Sequence, residues 1–180
     1  MTSMNPEMLY PVAASVCAIL GAAFDVKSRR IPNKLTGPAF LFGLGLHLAL
    51  GGWHGLLSSF AAAAICGVVF LVFYLAGGMG AGDVKLIAAV GCIAGLTNTA
   101  YLLVLTALAG GMMAVALAVM RGRLKETLFN VVAVANHHKD EGLKPHPELN
   151  VLNANTLRLP YGLAIAAGCT ITLYLQGMPR

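Results

Sequence analysis

The sequence predicts an all-α fold: a polytopic integral membrane bundle with about six transmembrane helices. Composition is the first reason. The chain of 180 residues is 58% hydrophobic and only 11% charged, against about 25% charged residues in a soluble domain. The second reason is the placement of charge. No Lys, Arg, Asp or Glu occurs in 35–82, 86–120 or 159–179. The third is length. A spanning helix takes about 20 mostly apolar residues, so the first two tracts each hold two spans and the last holds one. The apolar stretch 8–24 makes six. One integrated membrane domain, 1–180, is expected, with 121–158 as a connection inside it.

Each element has its own justification. Residues 1–7 lack a basic n-region and no small-residue cleavage site follows Phe24, so 8–24 is expected to stay as a helix. Pro32 disfavours helix at Ile31 and fixes a turn. Asn33 or Thr36 is then the candidate cap of the next helix, 35–50. Gly51-Gly52-Trp53-His54-Gly55 breaks it from 55–76, and Trp53 suits a membrane interface. A glycine-dense run, Gly77-Gly78-Met79-Gly80-Ala81-Gly82-Asp83, leads into 84–96. That segment is short for a full crossing, so it extends backward past Asp83 or tilts against its neighbours. A break at 95–99 precedes the span 98–120. Within 121–158, Leu124, Leu128, Val131 and Val132 recur at helical spacing beside Arg123 and Lys125, the pattern of an amphipathic helix on the membrane surface. The final span is 159–176.

Charge then orients the bundle. With six crossings, Lys27, Arg29, Arg30, Lys34, Lys85, Arg121, Arg123, Lys125, Lys139, Lys144 and Arg158 fall on one face, and of the twelve basic residues only Arg180 falls on the other. The positive-inside rule makes that face cytoplasmic and turns both termini outward. The net charge of +5 is thereby explained by membrane anchoring, and no nucleic-acid partner is expected. The four cysteines, Cys17, Cys66, Cys92 and Cys169, lie inside apolar spans without a CxxC pair. They read as packing residues, not as ligands or disulfides.

Asp25 and Asp83 end on the same face. An ionisable group at a membrane boundary is costly and is a functional candidate by default. Asp25 alone reads equally as a solvated charge among four cations, but an aspartate near a helix C-terminus opposes the dipole. The glycines before Asp83 suit close helix packing, which does not account for the aspartate that ends the run. They match neither GxGxxG nor the Walker spacing. Lys85 reads as a face anchor, or as a cation that tunes Asp83 or meets an acidic substrate group. His137, His138 and His146, near Asp140, Glu141 and Glu148, read as an exposed polar loop before a metal site. His47 and His54 lie toward the other face and receive no role.

At these residues the chain resembles the type IV prepilin peptidases, membrane aspartyl proteases of the GxGD class. Three pieces carry the resemblance: Asp25 with Ile31-Pro32-Asn33-Lys34-Leu35-Thr36; Gly80-Ala81-Gly82-Asp83-Val84-Lys85-Leu86; and Leu159-Pro160-Tyr161-Gly162 followed by Ala164 and Gly168. They span nearly the whole chain in the family's order. The resemblance implies that Asp25 and Asp83 are the catalytic pair, that Gly80 and Gly82 shape the backbone at the second aspartate, and that Pro160 and Gly162 form the substrate-facing start of the last span. Lys85 belongs to the same support. It also implies a prepilin substrate cut at its leader peptide, a bacterial inner-membrane location, and no metal or cofactor. Larger members carry an extra cytoplasmic domain with paired cysteines and methylate the pilin; this chain has no such domain and no CxxC, which tells against N-methylation. Its length resembles the short peptidases of tight-adherence (Flp) pilus systems, and archaeal preflagellin peptidases share the two-aspartate logic.

Two carboxylates that meet across a bundle share one proton over a range of pH. That pair suits hydrolysis through activated water. A transporter or channel subunit is the competing reading, since intramembrane aspartates also mark ion pathways. It favours polar groups near the midplane and internal repeats; here the acids lie at one face, and their surroundings show no repeat. A non-catalytic assembly scaffold is a third reading, one that tolerates loss of either aspartate.

Overall fold

The computed structural model describes residues 6–142 and 159–177 and shows an all-helical chain. The helices are α1 (Pro6–Ser28), α2 (Asn33–Leu75), α3 (Ala81–Ala94), α4 (Leu96–Met120), α5 (Leu124–Glu141) and α6 (Tyr161–Gly177). Residues 143–158, which include Lys144, His146, Glu148 and Arg158, lie outside the described residues, as does Arg180. Three helices, α1, α2 and α4, are long and apolar enough to cross a membrane. At 1.5 Å per residue, the 14 residues of α3 reach about 21 Å, and the 17 of α6 about 25 Å. Both fall short of a hydrocarbon core of about 30 Å.

α2 is two helices in one run. Gly52 takes φ 58°, ψ −148°, a conformation outside the helical region. The reversal is tight: a Cβ on Gly55 would lie 2.3 Å from the His47 carbonyl oxygen. The break falls within the predicted 51–55 punctuation, so the two expected spans, 35–50 and 55–76, are the two arms of this hairpin. Trp53, at the tip, is exposed.

Both arms pack on α3. The first arm runs parallel to it: Lys85 meets Asn33, the Cys92 thiol meets the Phe40 carbonyl, and Gly43 abuts the backbone of Cys92 and Ile93. The second runs antiparallel: Ser59 donates to the Cys92 carbonyl at 2.6 Å, Gly91 abuts Cys66, and Gly67 faces Ala88. α1 also opposes α3, with Gly21 against Leu86. α6 runs antiparallel to both α1 and α4, through Ser15 to Cys169 and Gly168 to Thr106. α3 is therefore the central post. Leu86, Ile87, Val90 and Ile93 are almost wholly buried on it. This is why a short apolar helix persists there: packing on several sides replaces length.

Small residues set the separation. A Cβ on Gly43, Gly91 or Gly168 would come within 3.0 Å of a neighbouring atom. Close backbone approach is the main route to tight packing where the surroundings are as apolar as the helices.

Local details depart from the expected caps. Neither Asn33 nor Thr36 caps α2. Pro32 occupies the N-cap in extended conformation, φ −73° and ψ 141°, and no side chain bonds there. Proline fixes the angle that the first turn needs, which leaves the Asn33 side chain to accept from Lys85. α3 starts at Ala81 and so extends back past Asp83. Gly95 alone, at φ 78°, separates α3 from α4.

Candidate active site

The ends of α1 and α2 and the starts of α2, α3 and α6 gather at one end of the bundle. Asp25 lies one turn before the end of α1, and Asp83 in the first turn of α3. Both are buried, at 8% and 9% exposure. They come together because α1 and α3 run antiparallel in contact, with Gly21 opposite Leu86 one turn deeper in each helix.

Asp83 is held by its own helix start. The Gly80 N–H donates to Asp83 Oδ2 at 3.1 Å, and the Asp83 N–H donates back to the Gly80 carbonyl at 3.1 Å. The helix dipole and that N–H both favour the ionised form. They are outweighed. Asp83 stands ahead of the apolar run from Val84, outside the three helices long enough to cross. Burial there pushes its carboxyl up to about 6, and the Asp25 charge adds to the rise. The two carboxylates are therefore close enough to feel one another.

Asp25 faces the opposite difficulty, since α1 presents its negative end there. The remedy comes from another helix. The Gly162 N–H, at the start of α6, donates to Asp25 Oδ2 at 2.9 Å. The positive end of α6 thus offsets the negative end of α1. Glycine is required at this point: a Cβ would lie 2.9 Å from Asp25 Cβ and 3.0 Å from Ala22 Cα. Pro160 opens α6 and accepts the Leu163 N–H at 3.0 Å.

Gly82 faces Ile31, where a Cβ would lie 3.3 Å from the Ile31 Cβ. The turn through Ile31 and Pro32 is thereby pressed against the start of α3. Lys85 turns away from the acids and donates to Asn33 Oδ1 at 3.0 Å. It lines an open groove of about 320 Å³ with Asn33, Thr36, Gly37, Phe40 and Ala88.

Two neighbours had no role from sequence. Ile31 is buried against Gly82. Tyr161, packed on the core, lies within electrostatic reach of Asp83. Tyr161 stood in the Pro160-Tyr161-Gly162 segment, but its reach depends on how α6 enters the bundle. Among the described residues, no three of His, Cys, Asp and Glu converge as ligands for a metal. His137 is on α5, and His47 bonds the Ile93 carbonyl at 3.0 Å near the other end.

A sequence model described as the Type IV leader peptidase family matches residues 12–115, more than half of the chain. The chain belongs to the type IV leader peptidase family. No curated protein and no solved structure matches it. The matched segment contains both aspartates and α3 entire. It stops before α6, so the glycine that contacts Asp25 comes from outside it. Family and hydropathy together make this a membrane peptidase.

Proposed function

We propose that the chain is an aspartic endopeptidase that removes the leader peptide from type IV, Flp-like prepilins at the cytoplasmic face of the bacterial inner membrane. The observation that carries this reading is the pair Asp25 and Asp83, both buried and brought to one end of the bundle by the antiparallel contact of α1 with α3. The membrane topology is part of the proposal. α1, the two arms of α2, α3 from Val84 on, α4 and α6 cross in six passes, and the basic residues beside the acids set that end in the cytoplasm.

The pair holds one proton. The ionised carboxylate takes a proton from water as its oxygen bonds to the scissile carbonyl carbon. The protonated carboxyl gives its proton to the carbonyl oxygen. The tetrahedral diol then collapses: the C–N bond breaks as the amine takes a proton from the first carboxyl, and a diol hydroxyl returns its proton to the second, which restores the pair. Water is consumed and no covalent enzyme intermediate forms. Gly80 and Gly162 hold Oδ2 of each acid. Gly82 lets the Ile31 turn press on the start of α3, Pro160 opens the helix that brings Gly162 to Asp25, and Lys85 ties α3 to the start of α2. In the proposal, each acid's Oδ1 faces water and substrate. The substrate is a membrane-inserted precursor whose leader meets its apolar helix at this level.

Co-expression with a prepilin and mass measurement of the product tests the reading. Wild type is expected to trim the leader, and the product mass reports whether a methyl group is added; Asp25→Asn and Asp83→Asn are expected to leave the leader intact. Trimming by both variants overturns the aspartyl mechanism.

A further inference from the structure

α5 is turned inside out relative to a helix of a soluble protein. Its half-buried positions are Thr127, Asn130, Val134 and His137. They recur at helical spacing along one side of the helix, and three of the four are polar. The opposite face carries Leu128, Val131 and Val132, at 59%, 60% and 58% exposure. An amphipathic helix packed on a protein in water buries the apolar stripe. This one leaves the apolar stripe exposed and only its more polar side half-buried.

Its position says what covers the apolar stripe. α4, one of the helices able to cross, ends at Met120, which is 83% exposed. Val115 and Val119, also on α4, are exposed as well. The chain then turns through Arg121 and Gly122, at φ 66°, and α5 begins at Leu124. So α5 starts within one turn of where α4 leaves the apolar layer, and the two apolar surfaces adjoin. Charge agrees. Arg121, Arg123 and Lys125 cluster at the junction, all exposed, with Glu126 3.7 Å from Arg123 as local counter-charge.

We propose that α5 lies in the interfacial layer of a bilayer that carries anionic lipids, its Leu124, Leu128, Val131 and Val132 face in the acyl chains and Arg121, Arg123 and Lys125 at the lipid phosphates. The bilayer supplies the apolar contact that the bundle withholds, and the basic end selects anionic headgroups. α5 thereby lies at the membrane surface next to the point where α4 leaves the apolar layer. The inference rests on membrane insertion of the chain and is independent of the aspartate chemistry.

The test uses the full chain in vesicles. Trp53, the sole tryptophan, is replaced by Phe, and Leu128→Trp or Glu126→Trp is added. Phosphatidylcholine vesicles with or without phosphatidylglycerol contain lipids brominated near the headgroup end of the acyl chains. The expected result is a blue-shifted indole at position 128 that loses most of its emission to bromolipid and little to iodide, with the reverse at position 126. Adding Arg123→Gln and Lys125→Gln is expected to shift the docked-to-undocked ratio toward water by about fivefold per cation. That shift should appear only when phosphatidylglycerol is present. Iodide quenching at position 128 without bromolipid quenching overturns the proposal. Protection that disappears on dilution into excess lipid assigns the face to a second copy and overturns it too. Equal behaviour with and without phosphatidylglycerol overturns the anionic selection.

Discussion

The two ends of the bundle solve the same problem in different ways. At the end near Gly52 and Gly95, buried polar groups are neutral and pair off. His47 bonds the Ile93 carbonyl and stacks on Tyr10 at 4.1 Å. Ser59 bonds the Cys92 carbonyl, and Gln176 donates to Asn98. At the other end stand two carboxyls, each with one described hydrogen bond, to a glycine N–H at the start of a helix. The closed end holds the helices in register. The open end keeps acceptor capacity and an elevated carboxyl pKa in reserve, which costs stability and suits chemistry.

The largest expected effect breaks the open end. Asp25→Asn or Asp83→Asn should each reduce prepilin cleavage by about 10³-fold or more, the scale of a general acid or base. Membrane insertion should be unchanged, as measured by yield and elution in detergent. Robust cleavage by either variant would mean that the two ends do not differ in chemistry.

Glycine substitutions sharpen the comparison. Gly162→Ala places a methyl against Asp25 Cβ at 2.9 Å. Displacing a catalytic group by about 1 Å can cost roughly 100-fold, so kcat should fall by 10- to 100-fold, by about that order, with modest loss of stability. Gly43→Ala meets the Ile93 backbone nitrogen at 2.9 Å, near the closed end. Overpacking there should cost about 1–3 kcal/mol and leave kcat of the folded fraction close to wild type. Thermal denaturation beside activity per folded molecule separates the two outcomes.

pH gives a third contrast. The Asp83 carboxyl is raised from 3.8 to about 6 by burial and by Asp25. Between those values the folded state keeps a proton that the unfolded state has released, so this group's contribution to stability falls as pH rises through the window. Asp83→Asn removes that dependence. The variant should melt above wild type at pH 7.5, and the difference should shrink as pH falls below about 6 toward 3.8. An unchanged difference across that window would refute the raised Asp83 carboxyl. The smallest effect belongs to Lys85→Met, which loses an exposed bond to Asn33. It should change stability by about 1 kcal/mol or less, measured by the same melts.

Much of this was legible before folding. Charge-free tracts located the apolar segments, because lone charges in hydrocarbon are too costly to scatter. Gly51 and Gly52 marked the hairpin in α2, and Pro32 marked the start of its first arm. The cap expected from Asn33 or Thr36 was misplaced because proline and a hydroxyl or amide compete for one turn, and the side chain that lost found Lys85 instead. The apolar stripe of α5 was legible from its spacing; that it stays exposed beside the exposed end of α4 was decided by the fold.

The sequence by itself determined the helical, membrane-compatible class, the residues that break it, and two acids far apart in the chain that share an end under the charge rule. Those follow from local transfer energies and backbone sterics, which depend on residue type alone. The tertiary structure decided that Asp25 is steadied by Gly162 of α6, that Asp83 is raised in part by Asp25, that Ile31 presses on Gly82, and that short α3 is the central post. Each depends on which surfaces meet across long chain separations, and a single sequence records the surfaces without their pairing.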